Sequence, residues 1–424
     1  MEYPHWRRLA AFYVTSQTVS LLGSFLVHYA MIWYITLTTK SGSALAIATL
    51  CGFIPMFLIS GFAGVWADRY SRRKLIVAAD AVVALATLVV MLAFMSGYKE
   101  LWLMYTVLAI RSLGSGVQSP AVSALTPQFV PKERLMKVNG ILGSVQSLGN
   151  VASPAVAGIL LTFWPLYLVF AVDVVTAIIG IFLLLVFVKV GHHNPGVAHE
   201  TSQLREFKLG LTYVRQHFFV GRFLTYQALC TFFLGGPVII GNLQITRVFG
   251  ADSWRLATVE TCFGIGAAWG GLAVSAWAGA KQEYKTIGIA LTLLGALTMG
   301  LAVSPQFWCF AGFTALIGLA VPYCSVPTMT LLQRTINPDQ MGRVISISTM
   351  IATATMPLGS GILSPLADAF DVRLVMAISA LGLALSGLLI WRDRQFAKIP
   401  LPDAYSESES ELEQPAATTV ETAE

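Results

Sequence analysis

The sequence is poor in charge: Asp, Glu, Lys and Arg make up 12% of its 424 residues, about half the share of a soluble domain. With 56% hydrophobic residues and a mean hydropathy of +0.70, a water-soluble enzyme is excluded, because the chain would expose more hydrocarbon than water tolerates. Cysteine is scarce as well. Cys51, Cys230, Cys262, Cys309 and Cys324 all stand in apolar runs without CxxC spacing, which argues against a metal cluster or a disulfide scaffold and leaves the redox compartment open. No GxxxxGK[ST], HExxH or GxSxG occurs, so neither ATP drive nor hydrolytic or metal-dependent catalysis has residues to carry it. The chain reads as no enzyme, with no cofactor and no metal.

What is present is a series of long apolar runs. Cutting at charge, Gly and Pro clusters gives twelve spans, at 10–36, 43–66, 75–97, 101–124, 139–162, 166–188, 220–244, 255–279, 286–304, 307–332, 344–366 and 373–392, each near the length that crosses a bilayer. The fold class is therefore all-α and polytopic. The net charge of +5 does not call for nucleic acid, since the bases lie between spans. One set of gaps collects Arg7 and Arg8, the Arg69–Lys74 run, Lys132, Arg134 and Lys137, the 189–222 stretch and the bases from Lys281 through Lys398 that flank later spans. The opposite set holds Lys40, Lys99, Arg247, Arg255 and Arg373. The positive-inside rule then puts both termini in the cytoplasm of a cell-membrane protein. The first run is too long and too poorly flanked for a cleaved signal peptide.

Residues 189–219 separate six spans from six, and Phe207, Leu211 and Val214 could line an amphipathic helix on the inner surface. The domains are thus 1–188, a linker 189–219, 220–398, and a tail 399–424 whose acids among Pro, Ser and Thr read as disordered. The halves carry traces of duplication. Pro120 and Pro131 match Pro327 and Pro338 at an offset of 207, and Pro154, Gly158, Ile159 and Leu160 match Pro357, Gly361, Ile362 and Leu363 at 203. Parallel six-span repeats with a site between them are a transporter architecture.

Between spans 2 and 3 stands Gly64-Val65-Trp66-Ala67-Asp68-Arg69-Tyr70-Ser71-Arg72-Arg73-Lys74. It resembles the loop signature of the major facilitator superfamily, departing at Trp66 and Ser71. The resemblance implies two pseudo-symmetric six-helix bundles that rock about a central cavity. It also implies a cytoplasmic gate at Gly64, Asp68, Arg69, Arg72 and Arg73, although the bases could simply enforce topology. Ser20–Gly23, Ser43 and Asp80 are similar to the branch with macrolide and siderophore exporters. Ile110–Gln118 resembles the Arg-containing motif of proton-coupled drug exporters, and Ser153–Gly158 the antiporter motif of span 5. Pro154, Gly158, Pro357 and Gly361 suit helix packing.

Charge at membrane depth costs at least about 2.5 kcal/mol, so Arg111 should face a cavity or a carboxylate, or else snorkel to the outer interface. Asp80, Asp173 and Glu260 lie within spans and are candidates for proton coupling together with Arg111. Each has a rival role: an ion pair with the Arg69–Arg73 loop for Asp80, a structural hydrogen bond for Asp173, a pair with Arg247 or Arg255 for Glu260. The superfamily resemblance places Gln17, His28, Trp33, Gln118, Gln227, Phe232, Phe233, Asn242 and Tyr323 on the cavity. The expected function is export of lipophilic or amphipathic drug-like compounds in exchange for protons, driven by the transmembrane proton gradient. The rivals are export of one endogenous metabolite such as a siderophore, and a non-transporting receptor. The expected partners are a small-molecule substrate and the bilayer, with no nucleic acid, and the functional unit is a monomer. Single cysteines placed at Lys99 and at Ser71 test the orientation. A membrane-impermeant maleimide added to intact cells should label the first and reach the second only after permeabilisation.

Overall fold

The computed structural model describes residues 5–188, 218–277, 282–336 and 338–393, apart from the side chains of residues 61, 64, 65, 67, 68, 218, 338–340 and 343. The expected linker helix and acidic tail lie outside the described residues. So do the side chains of the proposed gate residues Gly64 and Asp68.

Among the described residues every regular element is helical. The first half is α1 Trp6–Thr39, α2 Gly42–Arg69, α3 Arg72–Met95, α4 Leu101–Leu125, α5 Lys132–Phe163 and α6 Leu166–Phe187. The second is α7 Phe218–Gln244, α8 Ser253–Ala276, α9 Glu283–Val303, α10 Phe307–Ala320 with α11 Pro322–Thr335, α12 Pro338–Ala369 and α13 Val372–Arg392. Helix is what lipid demands, because it satisfies the backbone internally. Among the described residues, eleven helices are long and apolar enough to cross a membrane. α4 falls short because Arg111, Ser112, Ser115 and Gln118 dilute it, yet it packs between α2 and α3 as a span.

The ends are set locally. Lys40 takes a left-handed φ of 50° that closes α1, and the Ser41 side chain then accepts from Ala44 N to start α2. Pro131 and Pro165 stand immediately before α5 and α6. The expected span at 307–332 is one apolar stretch, Phe307–Thr335, whose two helical segments join at Val321 with helical dihedrals. Val321 stands between them and Pro322, which has no N–H to donate, begins the second. α7 runs on into a π turn, Ile245–Phe249, closed by Gly250 at φ 122°.

The two halves repeat one packing plan. α1 packs on α5 and α6, α2 on α4, and α3 on α4 and α6; correspondingly α7 packs on α12 and α13, α8 on α10, and α9 on α10, α11 and α13. Small residues permit these approaches. A Cβ at Gly266 of α8 would strike the Ala315 carbonyl of α10, and one at Gly359 of α12 the Phe232 carbonyl of α7.

Between the halves, α2 meets α12 and α5 meets α8. These contacts gather toward the side away from the termini: Gly42 against Ser364, Gly361 near Leu50, Gly158 against Ala257, and Gly264 against Val151. Toward the terminal, base-rich side, Gly140 and Gly143 of α5, Gly271 of α8 and Gly342 of α12 have nothing within 4 Å of a Cβ. The apolar core shows the same asymmetry. One cluster joins both halves through Trp33, Ala157, Leu256 and Ala257, while Tyr13, Ile76, Leu125, Phe129 and Leu184 form a separate cluster in the first half alone. The space between the halves is a wedge, shut at one side and open at the other. Two substitutions on α8 separate packing from open space: Gly266→Val should cost about 1–3 kcal/mol by overpacking and lower the melting temperature in detergent, whereas Gly271→Val should leave it unchanged.

Candidate functional site

A polar network lies buried in the first half. Arg111 of α4 and Asp173 of α6 are 7% and 2% exposed, and Arg111 Nη1 donates to Asp173 Oδ2 at 2.5 Å. The same guanidinium donates to Thr87 Oγ1 of α3 at 3.1 Å and to the Ser24 carbonyl of α1 at 2.9 Å, and Thr87 donates to Asp173 at 3.1 Å. Four helices thus converge on one ion pair. Arg111 does not snorkel. It answers the cost of its charge with a carboxylate and fixed acceptors.

Asp80 of α3 adjoins this network, close enough to feel the charges of both Asp173 and Arg111. Its hydrogen bonds come from the Ser20 hydroxyl at 3.2 Å and the Gln118 amide at 3.0 Å, both neutral donors. The expected alternative, an ion pair with the bases of the α2–α3 loop, is not formed. Arg72 donates to the Ala124 carbonyl at the end of α4 at 2.9 Å, and Arg73 to the Leu184 and Leu185 carbonyls at the end of α6. These guanidiniums cap the negative ends of helices in their own half, and Arg69 is exposed.

Glu260 of α8 lies half-buried within electrostatic reach of Tyr29 in α1. Neither expected partner reaches it. Arg255 pairs with Asp252 at 3.5 Å, and Arg247 with Asp368 at 2.5 Å. No described side chain hydrogen-bonds the Glu260 carboxylate. His28, next to Tyr29, is exposed in mid-span beside Gly52 of α2 and within electrostatic reach of Arg111.

The other cavity candidates divide. Gln227 exchanges hydrogen bonds with Ser348 of α12, accepting from its hydroxyl at 2.8 Å. Gln118 holds Asp80, and Tyr323 stands against Trp277 with ring centroids 5.8 Å apart. Gln17 is buried with its amide nitrogen unpaired. Trp33 is a correction: it is wholly buried and packs on Gly158, closing the wedge where a lining role was expected. Phe233 is another, because its ring lies on Gly382 of α13 and cements the second half. Phe232, edge-on to it, offers its carbonyl side to Gly359. Asn242 is buried near the closed side. Pro154 and Pro357 are buried inside α5 and α12, one turn before Gly158 and Gly361, which face the opposite half.

The contact that shuts the wedge was not anticipated. Asp368, at the end of α12, accepts from the backbone N–H groups of Gly42 and Ser43 at 2.7 Å and from the hydroxyls of Ser41 and Ser43 at 2.9 and 2.7 Å. It therefore caps the positive end of α2 from the other half. Arg247 completes the clasp. It donates to the Lys40 carbonyl at the end of α1 at 2.8 and 2.6 Å, and also to the Ala367 carbonyl. The span read as ending at 366 left Asp368 in a loop, and a partner more than 300 positions away has no local signal.

Comparison with known proteins agrees with this architecture. The Major Facilitator Superfamily profile matches residues 14–360. Macrolide efflux protein A of Streptococcus pyogenes is 30% identical over 378 residues, covering 88% of this chain and 92% of that protein. The enterobactin exporter EntS of Escherichia coli O1:K1 / APEC is 24% identical over 84% of this chain and 82% of its own. The crystal structure of the nucleoside transporter NupG superposes with a TM-score of 0.65 at 14% identity, covering 92% of this chain and all of that one.

The clasp generates a direct test. A cysteine at Ser364, which is fully buried, should react slowly with an external impermeant maleimide. Adding Asp368→Ala should speed that labelling several-fold, and a rate left unchanged would mean the clasp does not hold the wedge shut.

Proposed function

The chain belongs to the Major Facilitator Superfamily of membrane transporters, and from that premise we propose that it exports amphipathic drug-like compounds, macrolides first, in exchange for protons across the cell membrane. The base-rich side, open in this structure, is read as cytoplasmic by the positive-inside rule, so the wedge faces the compartment from which an exporter loads. Macrolide efflux protein A supports the substrate class, being related over nearly the whole of both chains.

The observation that carries the coupling is a charge count. In the buried network one guanidinium, Arg111, pairs with Asp173, while Asp80 beside them is held only by the neutral Ser20 and Gln118, so with both carboxylates ionised one negative charge has no cation bonded to it at membrane depth. A proton taken up there neutralises it, and the loss of that proton restores the charge. Because Arg111 also grips α1 through Ser24 and α3 through Thr87, a change at either carboxylate is passed to α1, which meets the second half. His28 gives the network an exposed imidazole neighbour. Glu260, which no described side chain hydrogen-bonds and which lies within electrostatic reach of Tyr29, is the candidate to receive a cationic amine or a proton from the wedge. Release of the Asp368 clasp, with closure of the base-rich side, would then deliver the substrate outward. The proton gradient is the energy source, and the unit is a monomer acting on small molecules rather than nucleic acid.

The second reading is export of a siderophore, favoured by the similarity to the enterobactin exporter. Drug-sensitised cells expressing the chain separate the two. The transport reading expects lower accumulation of a macrolide, restored by a protonophore, and expects Asp80→Asn or Glu260→Gln to flatten the pH dependence of efflux. If both variants keep the pH profile, coupling lies elsewhere. Unchanged macrolide accumulation with the protein in the membrane would favour the siderophore.

A further inference from the structure

The two halves fill equivalent interior spaces differently. In the first half, the space among α1, α3, α4 and α6 is occupied by the Arg111, Asp173, Thr87 and Asp80 network. In the second, the corresponding helices α7, α9, α11 and α13 enclose a cavity of about 370 Å³. At the offset of 207 that relates Pro120 to Pro327, Arg111 corresponds to Gly318 and Gln118 to Ser325. The guanidinium-bearing position of one repeat is thus a glycine in the other, and the amide that holds Asp80 is replaced by a serine.

The cavity has a mouth and a floor. Ser325 and Met329 of α11 are exposed at its rim, whereas Leu294 of α9 and Leu383 of α13 are buried at its base. Cys230 and Thr231 of α7 and Cys324 and Thr328 of α11 line the walls, just beyond the junction at Val321. Helix bundles close-pack, and interiors keep few voids larger than a water molecule. Here the short side chains of Cys, Ser and Thr hold open a volume in the range of ligand pockets. The lining among the described residues contains no Asp, Glu, Lys, Arg or His, and the charges behind the Tyr226 hydroxyl, Asp393 and Arg222, are paired with each other at 2.7 Å, so a charged group entering would lose its hydration without a free counter-charge. The hydroxyl of Ser325 and the amide of Gln227 offer hydrogen bonds near the rim.

We propose that this cavity in the second half is a binding lobe that receives the uncharged, hydroxyl-bearing apolar limb of the substrate, while any cationic group stays outside it in the wedge. The proposal rests on the transport reading of the preceding subsection and adds where the apolar part of the molecule is held. It assigns the hydrocarbon of the substrate to the interior of the second half and leaves any cationic group to the wedge and Glu260.

The native cysteines report on it. In purified protein in detergent, alkylation of Cys230 and Cys324 is followed site by site by mass spectrometry with N-ethylmaleimide and with a sulfonate-bearing maleimide, each normalised to its rate with glutathione. The lobe predicts that the uncharged reagent is favoured at least about tenfold at Cys324, and that saturating erythromycin slows alkylation of Cys230 and Cys324 at least about fivefold while sparing exposed Cys309. Equal rates for the two reagents overturn the lobe as an apolar site. So does a lack of protection when cells expressing the chain demonstrably export erythromycin. If cells do not export it, the macrolide reading fails, and the lobe stands or falls on the reagent ratio alone.

Discussion

The wedge between the halves exists because Asp368 of α12 sits at the positive end of α2, with Arg247 clasped to the ends of α1 and α12 beside it. Backbone N–H groups at a helix start have no partner within the helix, and here the other half of the molecule supplies one. The clasp is partly solvated, with Arg247 and Asp368 each a little over a quarter exposed. Such a contact can be exchanged for water at modest cost, which suits a joint that must open. Below it the joint is apolar, through Trp33, Gly158 and Ala257, and apolar surfaces part without leaving polar groups stranded.

The Arg111–Asp173 pair is built on the opposite principle. It is sealed among four helices of one half, and removing either partner would leave an uncompensated buried charge, typically worth about 3–5 kcal/mol. It is therefore no hinge. Its effect is to tie α1, α3, α4 and α6 together, with Asp80 next door held by Ser20 and Gln118. The second half keeps a cavity in the equivalent space, and its own ion pair, buried Asp393 with Arg222, stands behind the cavity wall, where Asp393 accepts from the Tyr226 hydroxyl at 2.8 Å. A duplicated fold thus carries two unlike interiors inside the same packing plan.

Glycine and serine positions explain how that plan is met twice. Close approach of α8 to α10 and of α7 to α12 requires Gly266 and Gly359. The same small-residue logic, applied at the joint between the halves, produces contact at Gly158 and none at Gly140 or Gly271. One chemistry serves both the permanent contacts and the movable ones, and its position along the helix decides which it is.

Much of this was legible in the linear order of residues. Scarcity of charge, apolar runs of bilayer length and the distribution of Lys and Arg follow from transfer free energies, which act on each segment alone. They suffice to make the chain a polytopic helical membrane protein with two related halves. The loop from Gly64 to Lys74 and the intramembrane Arg111 likewise pointed to a transporter. Which groups meet is a matter of packing. Asp173 reads as a coupling acid or as a structural acceptor in the sequence, and its contacts with Arg111 and Thr87 appear only in the fold. Trp33 and Phe233 looked like lining and proved to be packing, because aromatic side chains turn toward whichever neighbour leaves room, and that room is set by glycines on distant helices. Asp368 and the α2 start are separated by more than 300 residues, and no local propensity encodes such a pairing. Pairwise contacts across a bundle depend on the relative rotation and depth of helices, quantities that arise when the helices pack and are absent from any one of them.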